Sequence, residues 1–185
     1  MKCARFPMAT LLGLVLLAGL SCSAGNHSSD TEAEVFLSVT ISAGPADQNV
    51  NSLADVIIPS FTINSHWKAP GAISTGSQAD AYLTEWVITP TRSDGGTAAS
   101  PVWRNFYNVY VPQGGTASLQ NYRIFPFEYF RQPPLNQLFP ENGGIDKETG
   151  KTNIRQRLQV EVYGKTVAGK SIVCSFPVDV NFIYQ

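Results

Sequence analysis

The sequence predicts an antiparallel β-sandwich, and three observations point to that fold class. Seven short runs alternate apolar and polar residues or are rich in β-branched and aromatic residues, as half-buried strands are. Gly, Pro, Asn and Asp separate these runs, and the 12 Pro and 15 Gly residues follow no repeat. No stretch carries a convincing apolar stripe at helical spacing. Several short strands with turn residues between them are typical of two packed antiparallel sheets.

The predicted strands belong to one domain, residues 34–185. In chain order they cover 34–42, 55–63, 82–89, 102–111, 117–125, 158–163 and 172–182. The last strand has the clearest alternation, because Ile172, Cys174 and Phe176 fall on one face and polar residues fall on the other. Residues 164–169 separate the two last strands and predict a hairpin connection.

Local signals refine this pattern. Residues 153–158 carry apolar side chains at helical spacing, but the alternation that follows favours a strand. Residues 135–139 lie between two prolines and predict one short helical turn. Pro59, Pro126 and Pro177 fall inside strand patterns. Because proline cannot donate a backbone hydrogen bond, each of them is expected at an edge position or a bulge.

The first 21 residues predict a signal peptide. Lys2 and Arg5 precede an apolar run over residues 8–20, and small residues follow the run, as in secretory signals. The run is shorter than the ~20 apolar residues that a membrane-spanning helix needs. Residues 22–33 are small and polar without periodicity, and they predict a flexible tether.

The end of this signal resembles that of bacterial lipoproteins, in which cleavage occurs just before a cysteine that then carries lipid. Cys22 is that residue here, although Gly19 stands where such signals usually have Leu, and Leu20 is displaced by one position. The alternative is ordinary cleavage after Ala24. The resemblance implies attachment to a membrane through Cys22, at the outer membrane or surface of a bacterial cell envelope. Export follows from either cleavage.

Composition excludes other classes. The chain has 13 Lys+Arg against 14 Asp+Glu and a pI near 6.1, which gives no basic surface for nucleic acid. Its hydrophobic content of 43% is too high for a disordered chain. Cys174 is alone in the predicted domain, so the domain has no internal disulfide. Its strand face predicts a buried, unreactive thiol.

Short turn motifs in the second half of the chain resemble those of secreted bacterial lipoproteins with one immunoglobulin-like domain. The motifs are Asp94-Gly95-Gly96, Val111-Pro-Gln-Gly-Gly115, Gln132-Pro-Pro-Leu135, Val162-Tyr-Gly-Lys165, Ala168-Gly-Lys170 and Val180-Asn-Phe182. The resemblance covers roughly the last hundred residues of the chain and rests on these short turn motifs. It implies an immunoglobulin-like sandwich of about seven strands, and it implies no particular activity.

The predicted domain lacks the residue combinations of common catalytic and metal sites. His27 falls in the tether and His66 is expected in a loop, so a His-based triad or a multi-histidine metal site is hard to build. The acidic loop 141–150 offers oxygen ligands for calcium, but it lacks the usual alternation of ligands and contains lysine, which favours a solvated turn. A hydrolase with a carboxylate pair is a less favoured alternative. We therefore expect no enzyme activity, no cofactor and no metal.

Aromatic residues of the fourth predicted strand form the candidate interaction surface. Trp103 and Tyr107 share one face of this strand, and Phe106 and Tyr110 share the other. Rings that point outward suit binding to protein or sugar. The sequence thus predicts a non-catalytic envelope lipoprotein with a structural or protein-binding role, or alternatively a carbohydrate-binding module. An exposed row of aromatic rings would favour the carbohydrate-binding function, and an uncovered strand edge would favour the protein-binding function.

Overall fold

The structure is a computed structural model that describes residues 32–45, 47–69, 71 and 76–185. Within these residues the fold is all-β, with eight strands and no α-helix. The strands are β1 (Val35–Ala43), β2 (Gln48–Asn49), β3 (Val56–Trp67), β4 (Ala81–Arg92), β5 (Trp103–Val111), β6 (Thr116–Phe125), β7 (Asn153–Thr166) and β8 (Ser171–Ile183). Three short 3-10 helices lie between β6 and β7, at Phe127–Arg131, Leu135–Leu138 and Pro140–Asn142.

The strands form two sheets. The smaller sheet has the order β1-β3-β6, and the larger has the order β2-β8-β7-β4-β5. All neighbouring strands are antiparallel except β2 and β8, which pair in parallel. The predicted all-β, two-sheet fold is confirmed. The parallel strand β2 was not predicted, because two residues are too few to show a period.

The core lies between the two sheets. Cys174 and Phe176 of β8 are fully buried on one strand face, as the alternation predicts. The ring of Phe61 in β3 lies 6.2 Å from that of Trp86 in β4 and 5.7 Å from that of Phe176. The ring of Tyr122 in β6 lies 4.4 Å from that of Trp86. Because these rings come from both sheets, they fix the two layers against each other.

The predicted local details are confirmed in most places. Residues 153–158 belong to β7, not to a helix, because their alternation of inward and outward side chains continues that of the following residues. The predicted short helical turn is present as a 3-10 helix over Leu135–Leu138. Residues 167–170 connect β7 and β8 as an antiparallel hairpin. Gly164, predicted in this hairpin, is instead part of β7.

The three prolines differ in their positions. Pro177 lies in β8, which is paired along one side by β7 and along the other only by β2 at its far end, so the proline occupies an edge position as predicted. Pro59 lies in β3 next to Ser60, where the pairing with β1 ends and the pairing with β6 is interrupted. The prediction for Pro126 is wrong, because β6 ends at Phe125 and the proline begins a 3-10 helix.

The described chain starts at one end of the sandwich. Ala33 is already buried, and the carbonyl of Glu34 accepts a hydrogen bond from the amide of Lys68. The side chain of Glu34 lies 3.2 Å from that of Lys170, beside the β7–β8 hairpin. The predicted signal peptide, Cys22 and the tether up to residue 31 lie outside the described residues. Among the residues described, none forms a helix with the length and apolar character needed to cross a bilayer.

Candidate functional site

Strand β5 is the last strand of the larger sheet. Its inner edge pairs with β4 from Val111 opposite Ala81 to Trp103 opposite Ile88. No described strand pairs with its other edge, and no further backbone–backbone hydrogen bond reaches residues 103–111 from the described part of the chain. The strand therefore offers its outer backbone groups for pairing with another strand.

The four predicted aromatic residues of β5 divide into two pairs. Phe106 is 76% exposed and Tyr110 is 48% exposed, both on the outer face of the larger sheet. Trp103 and Tyr107 lie on the opposite face of the strand, toward the smaller sheet. The Tyr107 ring lies 5.5 Å from that of Tyr122, and the guanidinium of Arg123 lies 5.0 Å above the Trp103 ring. Phe106 and Tyr110 are thus the outward pair.

Two aromatic residues from neighbouring strands join this outward pair. Tyr82 of β4 lies opposite Tyr110, with the two rings 5.2 Å apart and tilted by 47°. Tyr163 of β7 lies opposite Glu85 of β4, which in turn lies opposite Phe106. We call Tyr82, Phe106, Tyr110 and Tyr163 the aromatic patch. Sequence reasoning missed Tyr82 and Tyr163, because only the pairing of the strands places them next to β5.

Charged groups around the aromatic patch pair with one another or with its hydroxyls. Arg104 of β5 donates to Glu85 at 2.6 Å, and the Tyr163 hydroxyl donates to a neighbouring glutamate. The Tyr110 hydroxyl donates to Asp80 at 2.5 Å, and this hydrogen bond raises the pKa of Tyr110. The patch is therefore bordered by the three carboxylates of Asp80, Glu85 and Glu161 and by the single guanidinium of Arg104, and the hydroxyl of Tyr110 is held in place.

A cleft of about 330 Å³ lies between the unpaired edges of β5 and β6. It is lined by Asn105 and Tyr107 from β5 and by residues 118–123. Asn105 donates to the hydroxyl of Tyr122 at 3.3 Å, and burial raises the pKa of Tyr122. The indole of Trp86 donates to the carbonyl of Tyr107 at 2.9 Å. These bonds bind the inner side of β5 to the core, while the side chain of Tyr107 stays 50% exposed beside the cleft.

The acidic loop 141–150 is mostly exposed, as predicted for a solvated turn, but one of its acids is an exception. Asp146 is fully buried, and its carboxylate accepts a hydrogen bond from Arg92 at 2.7 Å. The hydroxyl of Thr149 donates to the same carboxylate at 2.5 Å. Although burial opposes ionisation, the bonds from Arg92 and Thr149 lower the pKa of Asp146. The guanidinium of Arg92 is thus the cation that this loop binds, at the position where the sequence offered oxygen ligands for calcium. No group of three or more possible metal ligands occurs in the described residues.

Arg92 also binds the loop that follows β4. Its guanidinium donates to both carboxylate oxygens of Asp94, at 2.8 and 2.9 Å. The amide of Arg155 donates to Asp94 as well. Burial disfavours the charged carboxylate, but these hydrogen bonds outweigh it and lower the pKa of Asp94 to about 2. Glu148 accepts from the hydroxyl and amide of Thr97, which closes the network around the loop. This arrangement pairs the buried carboxylates of Asp94 and Asp146 with one cation and holds the loops.

The histidine and the thiol of the domain both have packing contacts. The prediction of a loop position for His66 is wrong, because this residue lies in β3 and pairs there with Phe36 of β1. Its ring stacks on Phe36 with the centroids 5.0 Å apart, and its Nε2 lies 2.9 Å from the hydroxyl of Ser38. Cys174 is a free, fully buried cysteine, and burial raises the pKa of its thiol to about 12. It is therefore protonated at neutral pH.

Comparison with models of known protein families and with curated proteins finds no match to this chain. The function is therefore argued from the chain's own geometry: an edge strand with an exposed aromatic patch on one side and a packed core on the other.

Proposed function

We propose that this chain is an exported, lipid-anchored and non-catalytic immunoglobulin-like module that binds or supports other proteins at a bacterial cell envelope. The edge and outer face of β5 contact the partner. The observation that carries the proposal is Phe106, which exposes 76% of its surface on a strand whose outer edge is unpaired in the described part of the chain. Large aromatic side chains at the centre of an accessible surface are typical anchors of protein interfaces.

Strand order and core packing support the immunoglobulin-like assignment. A three-stranded sheet faces a larger sheet in which β4 and β7 are neighbours and β8 follows β7. In immunoglobulin domains a buried Trp on the third strand packs against a disulfide between the sheets. Here Trp86 of β4 is buried, and the ring of Phe61 occupies the facing position. In this comparison Trp86 corresponds to the buried Trp of those domains, and the ring of Phe61 corresponds to the disulfide.

The sequence of the first 22 residues supports export and anchoring. A basic start, an apolar run and Cys22 after Ser21 resemble a lipoprotein signal, with Gly19 in place of the usual Leu. Lipid on Cys22 attaches the domain to the membrane through residues 22–33. Because one acyl chain gives only marginal membrane binding, we propose that the anchor carries more than one.

The chemistry of the described side chains supports a non-catalytic role. A nucleophilic cysteine needs a lowered pKa, whereas burial raises that of Cys174 to about 12. His66 is stacked on Phe36 and bonded to Ser38. The buried carboxylates of Asp94 and Asp146 both pair with Arg92. These groups stabilise the fold, and none of them has the environment of an activated acid, base or nucleophile.

A carbohydrate-binding module is the second candidate, and the Tyr82–Tyr110 pair on the outer face favours it. Rings that stack on a flat sugar chain work best when they are nearly coplanar, and here they are tilted by 47°. The Tyr110 hydroxyl is already bonded to Asp80 and is not free to orient a sugar hydroxyl. The unpaired edge of β5, in contrast, suits the addition of a strand from a protein. The geometry therefore favours protein over sugar.

A pull-down from intact envelopes tests the proposed function. We expect the double variant Phe106→Ala, Tyr110→Ala to lose partners that the wild type recovers, because it removes outward rings. Leu53→Ala is the matched control, since Leu53 is 83% exposed in the β2–β3 loop, away from β5. Recovery of the same proteins with the Phe106/Tyr110 variant, in a folded protein, would contradict the proposal. If this variant still binds the same proteins but no longer binds envelope polysaccharide, the result favours the second candidate.

A further inference from the structure

We infer that the cleft between β5 and β6 is a binding site for a neutral sugar residue, separate from the aromatic patch. The cleft lies on the inner side of β5, toward the smaller sheet, whereas Phe106 and Tyr110 lie on the outer face. The inference therefore does not rest on the proposed function. The volume of the cleft, about 330 Å³, is at the lower end of the ~300–1,000 Å³ that is typical of small-molecule sites.

Tyr107 supplies an aromatic ring at the wall of this cleft. The ring packs against that of Tyr122, with the two centroids 5.5 Å apart, yet half of the surface of Tyr107 stays exposed. The pairing of β5 with β4 shifts in register here, so that Tyr107 and Asn108 together lie opposite Thr84. A bulge of this kind re-aims a side chain out of the regular alternation. The exposed part of the Tyr107 ring is thus an apolar surface on which the C–H face of a sugar ring can pack.

Amide side chains supply the polar part of the cleft. Gln120 and Asn121 of β6 are exposed in succession, because Asn121 has a positive φ of 50° and interrupts the alternation of the strand. Neither amide has a hydrogen-bond partner among the described residues, and Asn105 uses only its NH₂ group, which donates to the hydroxyl of Tyr122. Each amide has donors and an acceptor, which match a sugar hydroxyl because that group both donates and accepts.

The charges of the cleft favour a neutral ligand. No Asp or Glu is among the described residues that line it. Its one charged lining residue, Arg123, lies 3.2 Å from the carboxylate of Asp55, and its guanidinium lies 5.0 Å from the ring of Trp103. Because this cation is already paired with an anion, the groups left for a ligand are the uncharged amides and the Tyr107 ring. These groups recognise hydroxyls and C–H surfaces, which neutral sugars offer together.

Titration calorimetry of the full-length protein in detergent tests the site. The probes are soluble oligosaccharides of glucose, mannose, galactose and N-acetylglucosamine, with oligogalacturonate as the acidic probe. We expect a neutral probe to bind, and we expect Tyr107→Ala to raise its Kd about tenfold through loss of the ring. Asn121→Gly should raise the Kd about threefold or more, because it removes one amide, whereas glycine keeps the positive φ without strain.

Tyr184→Ala is the matched control for Tyr107→Ala. Tyr184 is 38% exposed and follows β8, away from the cleft, so its replacement should leave the Kd unchanged. Thermal unfolding of each variant shows that it is folded. The inference is overturned if no neutral probe binds, if folded Tyr107→Ala and Asn121→Gly both keep the wild-type Kd, or if only oligogalacturonate binds. Binding of an uncharged Gly-Ser peptide but of none of the saccharides would overturn it in favour of a peptide site.

Discussion

The guanidinium of Arg92 lies 2.7 Å from the carboxylate of Asp146, a residue 54 positions further along the chain, and both side chains are almost completely removed from solvent. This contact joins the end of β4 to the loop that precedes β7. Asp94 binds the same guanidinium through both of its oxygens. One cation thus holds two loops at the end of the sandwich opposite to the β7–β8 hairpin.

Replacing Arg92 by Met should destabilise the protein by about 3–5 kcal/mol, because two buried carboxylates lose their cation. The free energy of unfolding, measured by urea denaturation, checks this. Arg157→Met is the matched control, since Arg157 pairs with Asp179 at the surface and such pairs contribute about 0–1 kcal/mol. Equal effects of the two substitutions would contradict the structural role of the buried network.

The Arg92 network should also make stability depend on pH. The pKa of Asp94 is about 2 in the folded chain, below its ordinary value of 3.8. The folded state therefore gains stability from the ionised carboxylate above pH 4, and this gain, about 2 kcal/mol, is lost as the pH falls from 4 to 2. Unfolding curves over this range, compared with those of Asp94→Asn, measure the contribution. If the stability of Asp94→Asn falls equally steeply over this range, the loss of stability comes from other groups.

Gly164→Ala should destabilise the protein by about 1–3 kcal/mol through overpacking. A Cβ at Gly164 would lie 2.1 Å from the carbonyl oxygen of Tyr82 and 2.8 Å from the Cα of Leu83, which are backbone atoms that cannot rotate away. Gly44→Ala is the control, because nothing lies within 4 Å of its Cβ position. Thermal unfolding of both variants checks the difference, and similar melting temperatures would contradict it.

Cys174 should react with thiol reagents only after unfolding. Its side chain is fully buried and the pKa of its thiol is raised to about 12 by burial, so almost no thiolate exists at neutral pH. Labelling at pH 7 with and without denaturant measures this, and fast labelling of the native protein would show that β8 opens. Cys174→Ser should cost about 1–3 kcal/mol if its hydroxyl finds no partner.

Cys22→Ala should abolish incorporation of labelled fatty acid in the native host. Cys3→Ala is the control, because Cys3 lies in the predicted signal peptide and is removed with it. Gel fluorography of the labelled protein gives the readout. A mature protein that begins at Gly25 would show that the chain is exported without a lipid anchor.

Much of the fold could be predicted because half-buried strands alternate visibly. β8 keeps an apolar residue at each second position from Ile172 to Phe182, and its predicted bounds differ by one residue at each end. The start of β7 was harder to predict, because Gln156 is polar yet fully buried and interrupts the apolar pattern. Its amide donates to Ser100, a partner that local sequence does not reveal.

The interactions that sequence reasoning missed are contacts between distant residues. Asp146 sits among acids and lysines in a loop, which is the composition of a solvated turn, and only the fold brings Arg92 to it. Alternation alone predicted that Phe106 and Tyr110 share one strand face, but not that this face points outward. The presence of Tyr82 and Tyr163 beside it did not, since neighbouring strands had to be identified first.

The direction of β5 fixes how far its outward ring lies from the start of the domain. β5 ends at Val111, opposite Ala81, and Ala81 pairs with Thr166 next to the hairpin where Glu34 meets Lys170. The strand therefore runs toward the end of the sandwich at which β1 begins. A molecule that contacts Phe106 would lie five residues, about 17 Å along the strand, from that end.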